Sequence, residues 1–152
     1  MPIDPAAIGT TLPPVEMTVD AARLRFFAKA IGETNPIYLD STAAAAAGHP
    51  ALPVPPTFLF SIELGGPDPF PWISDLGVDL RFVLHGEQAF TYHSTAHAGD
   101  TLVATSTISD IYSKKGGALE FVVKDTAVTR VDGSAVADLR TVIVVRNPGV
   151  RQ

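Results

Sequence analysis

The sequence predicts an α+β domain in which short helices come first and a long antiparallel sheet follows. Three observations carry this expectation. Residues 20–31 show a helical stripe of apolar positions. Residues 57–64 are apolar on nearly every side and lie between proline and glycine punctuation. Residues 87–146 fall into four strand-like runs separated by turn signals.

Taken in order, residues 1–14 are rich in Gly, Pro and Thr and read as an arm leading to a short strand at Val15–Val19. Leu24, Phe27, Ala28 and Ile31 then stand at i, i+3, i+4 and i+7, one stripe of a helix that Thr18 or Asp20 can cap and Gly32 can end. The segment IGETNPIYLD (31–40) is a loop. A short helix is expected from Ser41 through the alanines 43–47, closed by Gly48. Pro50, Pro53, Pro55 and Pro56 forbid regular structure up to Thr57. There TFLFSIEL (57–64) should form a helix buried on all sides, with Pro56 at its start, where the missing N–H is one a first turn leaves unpaired in any case. GPDPFPW (66–72) reads as an irregular flap.

Glu87–Ser94, Thr101–Ser113, Ala118–Val131 and Ala135–Arg146 are the expected strands, with hairpin turns at Lys114–Gly117 and Asp132–Gly133. In the third, Leu119, Phe121, Val123, Ala127 and Val131 are assigned to the buried face and Glu120, Lys124 and Arg130 to the other. In the fourth, Ala135, Ala137, Leu139, Ile143 and Val145 oppose Asp138, Arg140 and Arg146. Such alternation suits an antiparallel sheet with one buried face. A curled sheet wrapped around a central helix, the hot-dog fold, satisfies this order. The whole chain, 1–152, is expected to form one such domain, with 1–14 as arm and 147–152 as tail. One copy leaves a sheet edge unpaired, so edge-to-edge dimerisation is the natural remedy.

Composition bounds the function. A chain of 152 residues, 46% hydrophobic and 18% charged, fits one globular domain. The formal net charge of −5 argues against nucleic acid as a partner, because that binding rests on Lys and Arg neutralising phosphates. A local basic spot for a phosphorylated carrier such as coenzyme A stays open. There is no cysteine, which excludes disulfides, thiolate metal sites and a cysteine nucleophile. The beginning of the chain lacks a signal-peptide pattern and no apolar run is long enough for a membrane span, so a cytoplasmic protein is expected.

Three segments carry a resemblance: IGETNPIYLD (31–40), PPTF (55–58) and LHGEQAFTYHSTAHAGD (84–100). In this order and spacing they resemble the MaoC-like hydratases and dehydratases, in particular the N-terminal, FAS1-like dehydratase type. The resemblance implies a hot-dog protein that binds acyl thioesters, on coenzyme A or acyl carrier protein. It implies a part in 3-hydroxyacyl dehydration or (R)-specific enoyl hydration, as a homodimer or beside a second hot-dog subunit. No cofactor and no metal are implied.

Hydration of an enoyl thioester requires stabilisation of negative charge on the thioester oxygen and a group that moves protons to and from the α-carbon. Helix N-termini supply the first. Pro55 and Pro56 have no N–H, so the amides of Thr57 or Phe58, or of a neighbouring loop glycine, are the candidate donors. A stiffened entry to a core helix is the plainer reading of the same prolines. Active relatives carry an Asp and, five residues later, a His in the first loop. Here Glu33 replaces the Asp and Tyr38 the His, while Asn35 and Pro36 match. Glu33 keeps a carboxylate and is the candidate base, or else a solvated helix-end carboxylate. A phenol titrates near ~10 against ~6.5 for imidazole, which makes Tyr38 a poor proton shuttle at neutral pH. Pro55-Pro56 likewise replaces the His-Gly of active members. Both replacements match the pattern of the non-catalytic half.

The expected site is therefore Glu33 and Tyr38 for catalysis, with Asn35, Pro56, Thr57, Phe58 and His85 for substrate binding. Asn35 could equally set a turn before Pro36, and His85 could be a structural histidine. His93 and His97 are four apart but flank Ser-Thr-Ala between strands, which gives no metal-ligand geometry, and His49 reads as a solvent-facing loop residue. Phe70, Pro71 and Trp72 could form an apolar lid, a packed loop or a dimer contact. The leading reading is a substrate-binding subunit that lacks the Asp/His dyad. The alternatives are an autonomous hydratase using Glu33, a non-catalytic acyl-binding module and a thioesterase on the same fold.

Overall fold

The computed structural model describes residues 2–150, and the order of elements follows the expected one. Strand β1 (Val15–Thr18) precedes helix α1 (Ala21–Ala30) and helix α2 (Ser41–Ala46); a central 3-10 helix (Pro56–Leu64) and helix α3 (Pro71–Asp75) follow. The chain ends in four long strands, β2 (Val83–Tyr92), β3 (Thr101–Lys114), β4 (Leu119–Arg130) and β5 (Ala135–Arg146). All pairings are antiparallel, in the order β1-β3-β4-β5-β2. The sheet curls around the central helix as a hot-dog fold. No helix among the described residues is long and apolar enough to cross a membrane.

Local chemistry explains the boundaries. Asp20, not Thr18, caps α1 by accepting from the Arg23 amide at 3.0 Å. Leu24 and Ala28 of its stripe are buried and Phe27 is half-buried, while Ile31 lies beyond the last turn and is exposed. Gly32 follows at φ +71°, a conformation that favours glycine. Asp40 caps the alanine helix through the Thr42 amide.

The central helix departs from expectation in two ways. It is a 3-10 helix, with Phe58 N–H donating to Pro55 O and Gly65 N–H to Ile62 O, both i to i+3. It is also not buried all round. Phe58, Leu59 and Ile62 pack against Leu102, Ala104, Val128, Ala137 and Leu139 of the sheet, whereas Pro56, Thr57 and Leu64 are exposed. The flap is more ordered than expected, because Pro71 starts a short helix that buries Trp72 and Ile73.

The faces of β5 are as read from the sequence along most of its length, with Ala137, Leu139, Ile143 and Val145 buried; Ala135, at the strand's first position, is exposed. Those of β4 are reversed, although Val123 is buried as expected. Glu120, Val122, Lys124, Thr126 and Val128 face inward, paired with Val145, Ile143, Thr141, Leu139 and Ala137 of β5. Leu119 and Phe121 are half-buried on the outer side and Ala127 is exposed there. Two inward charges are tolerable because both are paired. Glu120 accepts from the Ile3 amide and from Asn147 Nδ2, each at 2.7 Å. Lys124 reaches Glu63 on the central helix at 2.8 Å.

As a result the concave side holds two apolar clusters. One surrounds Phe58, Leu59 and Ile62; the other contains Trp72, Ile73, Ile108, Val122 and Ile143. Between them runs a buried polar band of Ser106, Thr126, Lys124 and Thr141.

Candidate functional site

At the start of the central helix Pro55 and Pro56 offer no N–H, and Phe58 spends its own on Pro55 O at 3.0 Å. Thr57 is an exposed residue, and its amide is left with no acceptor among the described residues. Of the two helix donors expected from sequence, Thr57 is thus the free one. Phe58 is an anchor: it is fully buried and stands edge-on against Phe27 at 5.4 Å.

Two cavities flank this helix. The first, about 260 Å³, is lined by Tyr38, Pro56 and Leu59 with Tyr92, His93, Ser94 and Thr95 from the end of β2 and beyond. Here burial raises the Tyr92 phenol above its ordinary range, and the neighbouring Tyr38 adds to the shift. His93 Nε2 lies 2.8 Å from Asp138 Oδ2, with both side chains well open to solvent.

The second cavity, about 280 Å³, lies toward the C-terminal end of the helix. Phe60, Leu64, Phe70, Trp72 and Ile143 form its apolar walls, and Glu63, His85, Lys124 and Thr141 its polar ones. The Phe60 and His85 rings are 5.1 Å apart. His85 reaches this cavity because β2 shifts register between His85 and Glu87, around Gly86. The bulge needs glycine, since a Cβ at Gly86 would lie 2.7 Å from Val144 Cγ2 and 3.2 Å from Val142 O.

The loop residues do not join either cavity as a catalytic pair. Glu33 Oε1 accepts from the amides of Thr34 and Asn35, both at 2.9 Å, so this carboxylate staples its own turn. Asn35 Oδ1 accepts from the Ile37 amide and caps the 3-10 turn Pro36–Tyr38. Only Tyr38 of this group lines a cavity. The fold brings Tyr38 and Pro56 together, places His85 toward the other end of the helix, and engages Glu33 and Asn35 in turn-forming hydrogen bonds.

Among the described residues no three His, Asp or Glu side chains gather to hold a metal ion. His97 meets His49 instead of His93, with His49 Nδ1 and His97 Nε2 3.0 Å apart. Burial, then the His49 ring, then Arg130 depress the His97 pKa, and Asp100 opposes them. His49 is accordingly half-buried, not the solvent-facing residue expected.

Sequence reasoning missed Glu63, Lys124, Thr141, Tyr92 and the His93–Asp138 pair. The available signal was a charge at a position that must face inward once β4 is registered on β5. The second cavity has the apolar walls to hold an acyl chain, while Thr57 and Phe58 line neither cavity and Pro56, next to the unengaged Thr57 amide, lines the first. The arrangement sets no carboxylate and imidazole together at Thr57.

A family model for the FAS1-like dehydratase domain region matches residues 6–139. A UPF0336 protein of Streptomyces coelicolor is 41% identical over 117 residues, 76% of this chain and 78% of that protein. Among solved structures, the C-terminally truncated HadBC (3R-hydroxyacyl-ACP dehydratase) complex from Mycobacterium tuberculosis superposes with a TM-score of 0.75. It is 26% identical and covers 91% of this chain and 96% of its own. A MaoC-like dehydratase superposes with a TM-score of 0.82 at 22% identity, covering 94% of this chain but 43% of that longer one, and so speaks for the fold.

Proposed function

The chain belongs to the FAS1-like dehydratase domain family, of MaoC-like hot-dog type, and from that premise we propose that it is the acyl-thioester-binding subunit of a 3-hydroxyacyl dehydratase or (R)-specific enoyl hydratase. A second hot-dog subunit supplies the catalytic Asp and His. The observation that carries this reading is the Glu33 carboxylate, which is committed to the Thr34 and Asn35 amides while Tyr38 stands in the place of an imidazole. The unengaged Thr57 amide serves the thioester carbonyl, Pro56 and Tyr38 line its approach, and Phe58 fixes the helix that carries them. His85 belongs to the wall that receives the acyl chain.

The partner docks on β2. Among the described residues this strand pairs only with β5, and its other edge has no strand beside it. Leu84 and Tyr92 are about half exposed there, and the uncovered Pro56 and Thr57 start the central helix. A second hot-dog sheet continuing from this edge removes the unpaired strand and closes the open side of the helix. That the HadBC structure is itself a complex of a 3R-hydroxyacyl-ACP dehydratase supports this assembly.

The test is hydration of trans-2-enoyl-CoA by the purified chain alone and together with any subunit that copurifies from its native host. Turnover is expected only in the mixture. One observation favours an autonomous enzyme instead: His93, which Asp138 pairs at 2.8 Å, lines the same cavity as Tyr38. Turnover by the chain alone, lost in His93→Gln or in Glu33→Ala, would establish that reading and overturn the subunit one. Acyl-CoA binding without turnover in either sample identifies a binding module, and thiol release from saturated acyl-CoA a thioesterase.

A further inference from the structure

The second cavity carries a feature that an alkyl chain does not call for. Its wall contains a buried ion pair, Lys124 Nζ to Glu63 Oε1 at 2.8 Å, with side chains 7% and 12% exposed. Glu63 Oε1 also accepts from Ser106 Oγ at 2.7 Å. Glu63 Oε2 is buried and has no partner among the described residues. Lys124 has three N–H donors; one serves Glu63, and the ammonium lies 4.7 Å from the centre of the Trp72 ring. The ion pair therefore leaves an ammonium hydrogen of Lys124 and one carboxylate oxygen of Glu63 without an assigned partner among the described residues. Leaving a charged group partly unpaired in a buried site is costly. Apolar residues would line a purely alkyl tunnel at no such cost.

We infer that this cavity receives the distal end of an acyl chain bearing a hydroxyl group, which donates to Glu63 and accepts from Lys124. The inference deepens the acyl-thioester reading and rests on it. A hydroxyl is the smallest group that both donates and accepts. The carboxylate turns toward it about its soft terminal torsion. The helix also sets the reach. In a 3-10 helix residues three apart eclipse, so Thr57, Phe60 and Glu63 share one face. Six residues at a rise of ~2 Å separate the free Thr57 amide from Glu63 by about 12 Å, the reach of an acyl chain of roughly ten carbons.

The test is calorimetric titration of the full chain, with any subunit that copurifies, using ω-hydroxydecanoyl-CoA and undecanoyl-CoA. The two ligands have equal heavy-atom counts and differ by hydroxyl against methyl. The hydroxylated thioester should bind about tenfold tighter or more, as hydrogen bonds to charged groups are the strong ones. In the variant carrying Glu63→Leu with Lys124→Met the preference should vanish or reverse. Equal or weaker binding of the hydroxylated ligand by the wild-type protein overturns this inference and leaves the acyl-thioester reading standing. So does a preference that persists in the double variant. Binding of neither thioester overturns both. The wild-type comparison decides without the variant, should the variant fail to fold.

Discussion

Replacing Lys124 by Met removes the cation and leaves the Glu63 carboxylate with a single hydrogen bond, from Ser106. Breaking a buried ion pair from one side costs about 3–5 kcal/mol, because the remaining charge is uncompensated. Glu63 borders a cavity and keeps the Ser106 hydroxyl, so the lower end, about 3 kcal/mol, is expected here. Met preserves the length of the stem and a favourable contact with the Trp72 ring, so little of this loss is packing. Adding Glu63→Leu removes the stranded charge as well. Ser106 and Thr126 remain bonded to one another at 2.7 Å, so no new polar orphan is made. The double variant should lie within about 1 kcal/mol of wild type, because a well-packed apolar replacement for a buried pair is often neutral or stabilising. Equilibrium urea unfolding of wild type, both single variants and the double variant gives the coupling energy, expected at about 5 kcal/mol because each single variant loses about 3 kcal/mol and the double variant about 1 or less. Protein concentration is held constant, because assembly shifts apparent stability. Additivity of the two single losses to within about 0.5 kcal/mol would refute the pairing argument.

Three further outcomes follow from the same structure. Gly86→Ala should lower stability by about 1–3 kcal/mol, since the added carbon meets Val144 and the Val142 carbonyl; an unchanged urea midpoint would mean the bulge is not constrained. Glu33→Ala removes two turn-forming hydrogen bonds and should cost about 1 kcal/mol in thermal unfolding while leaving hydration by the assembled two-subunit unit unchanged. Because the folded His97 pKa is depressed, the folded state binds fewer protons than the unfolded one below ~6.5, so stability contributed by neutral His97 is lost as pH falls through that range. His97→Gln should flatten this part of the pH profile of urea unfolding between pH values of about 7.5 and 5.5, and an unaltered slope would assign the loss to other groups.

The helix and strand order, one of the two caps offered for the first helix, Asp20, and the hairpin positions were legible from residue patterns, because each is set by neighbours within a few positions. The start of β2 at Val83 was not, since Gly86 reads as a strand breaker until Val142 and Val144 are known to face it. The site was legible only in outline. Tyr38 and Pro56 share a cavity as their motifs suggest, but whether a carboxylate such as Glu33 is free or tied depends on where its loop amides point. Neither the pairing of His93 with Asp138 nor that of His97 with His49 has any sequence signature, their partners being 45 and 48 residues away.

The reversal of β4 has a different cause and says more about function. Alternation assigns a strand's charges to solvent unless each has a partner; the partners of Glu120 lie 117 and 27 residues away and that of Lys124 lies 61 away. Register decides the matter. The rows Val122–Ile143 and Val128–Ala137 must meet the central helix and α3, and the residues in phase with them, Glu120 and Lys124, come inward as well. At Glu120 every carboxylate oxygen is used, by Ile3 and Asn147, which ties the arm and the last strand's exit to the sheet. At Lys124 the pairing is incomplete and borders a cavity. The same departure from pattern therefore has two outcomes. The satisfied charge closes one end of the fold, and the unsatisfied pair is retained where a ligand can complete it.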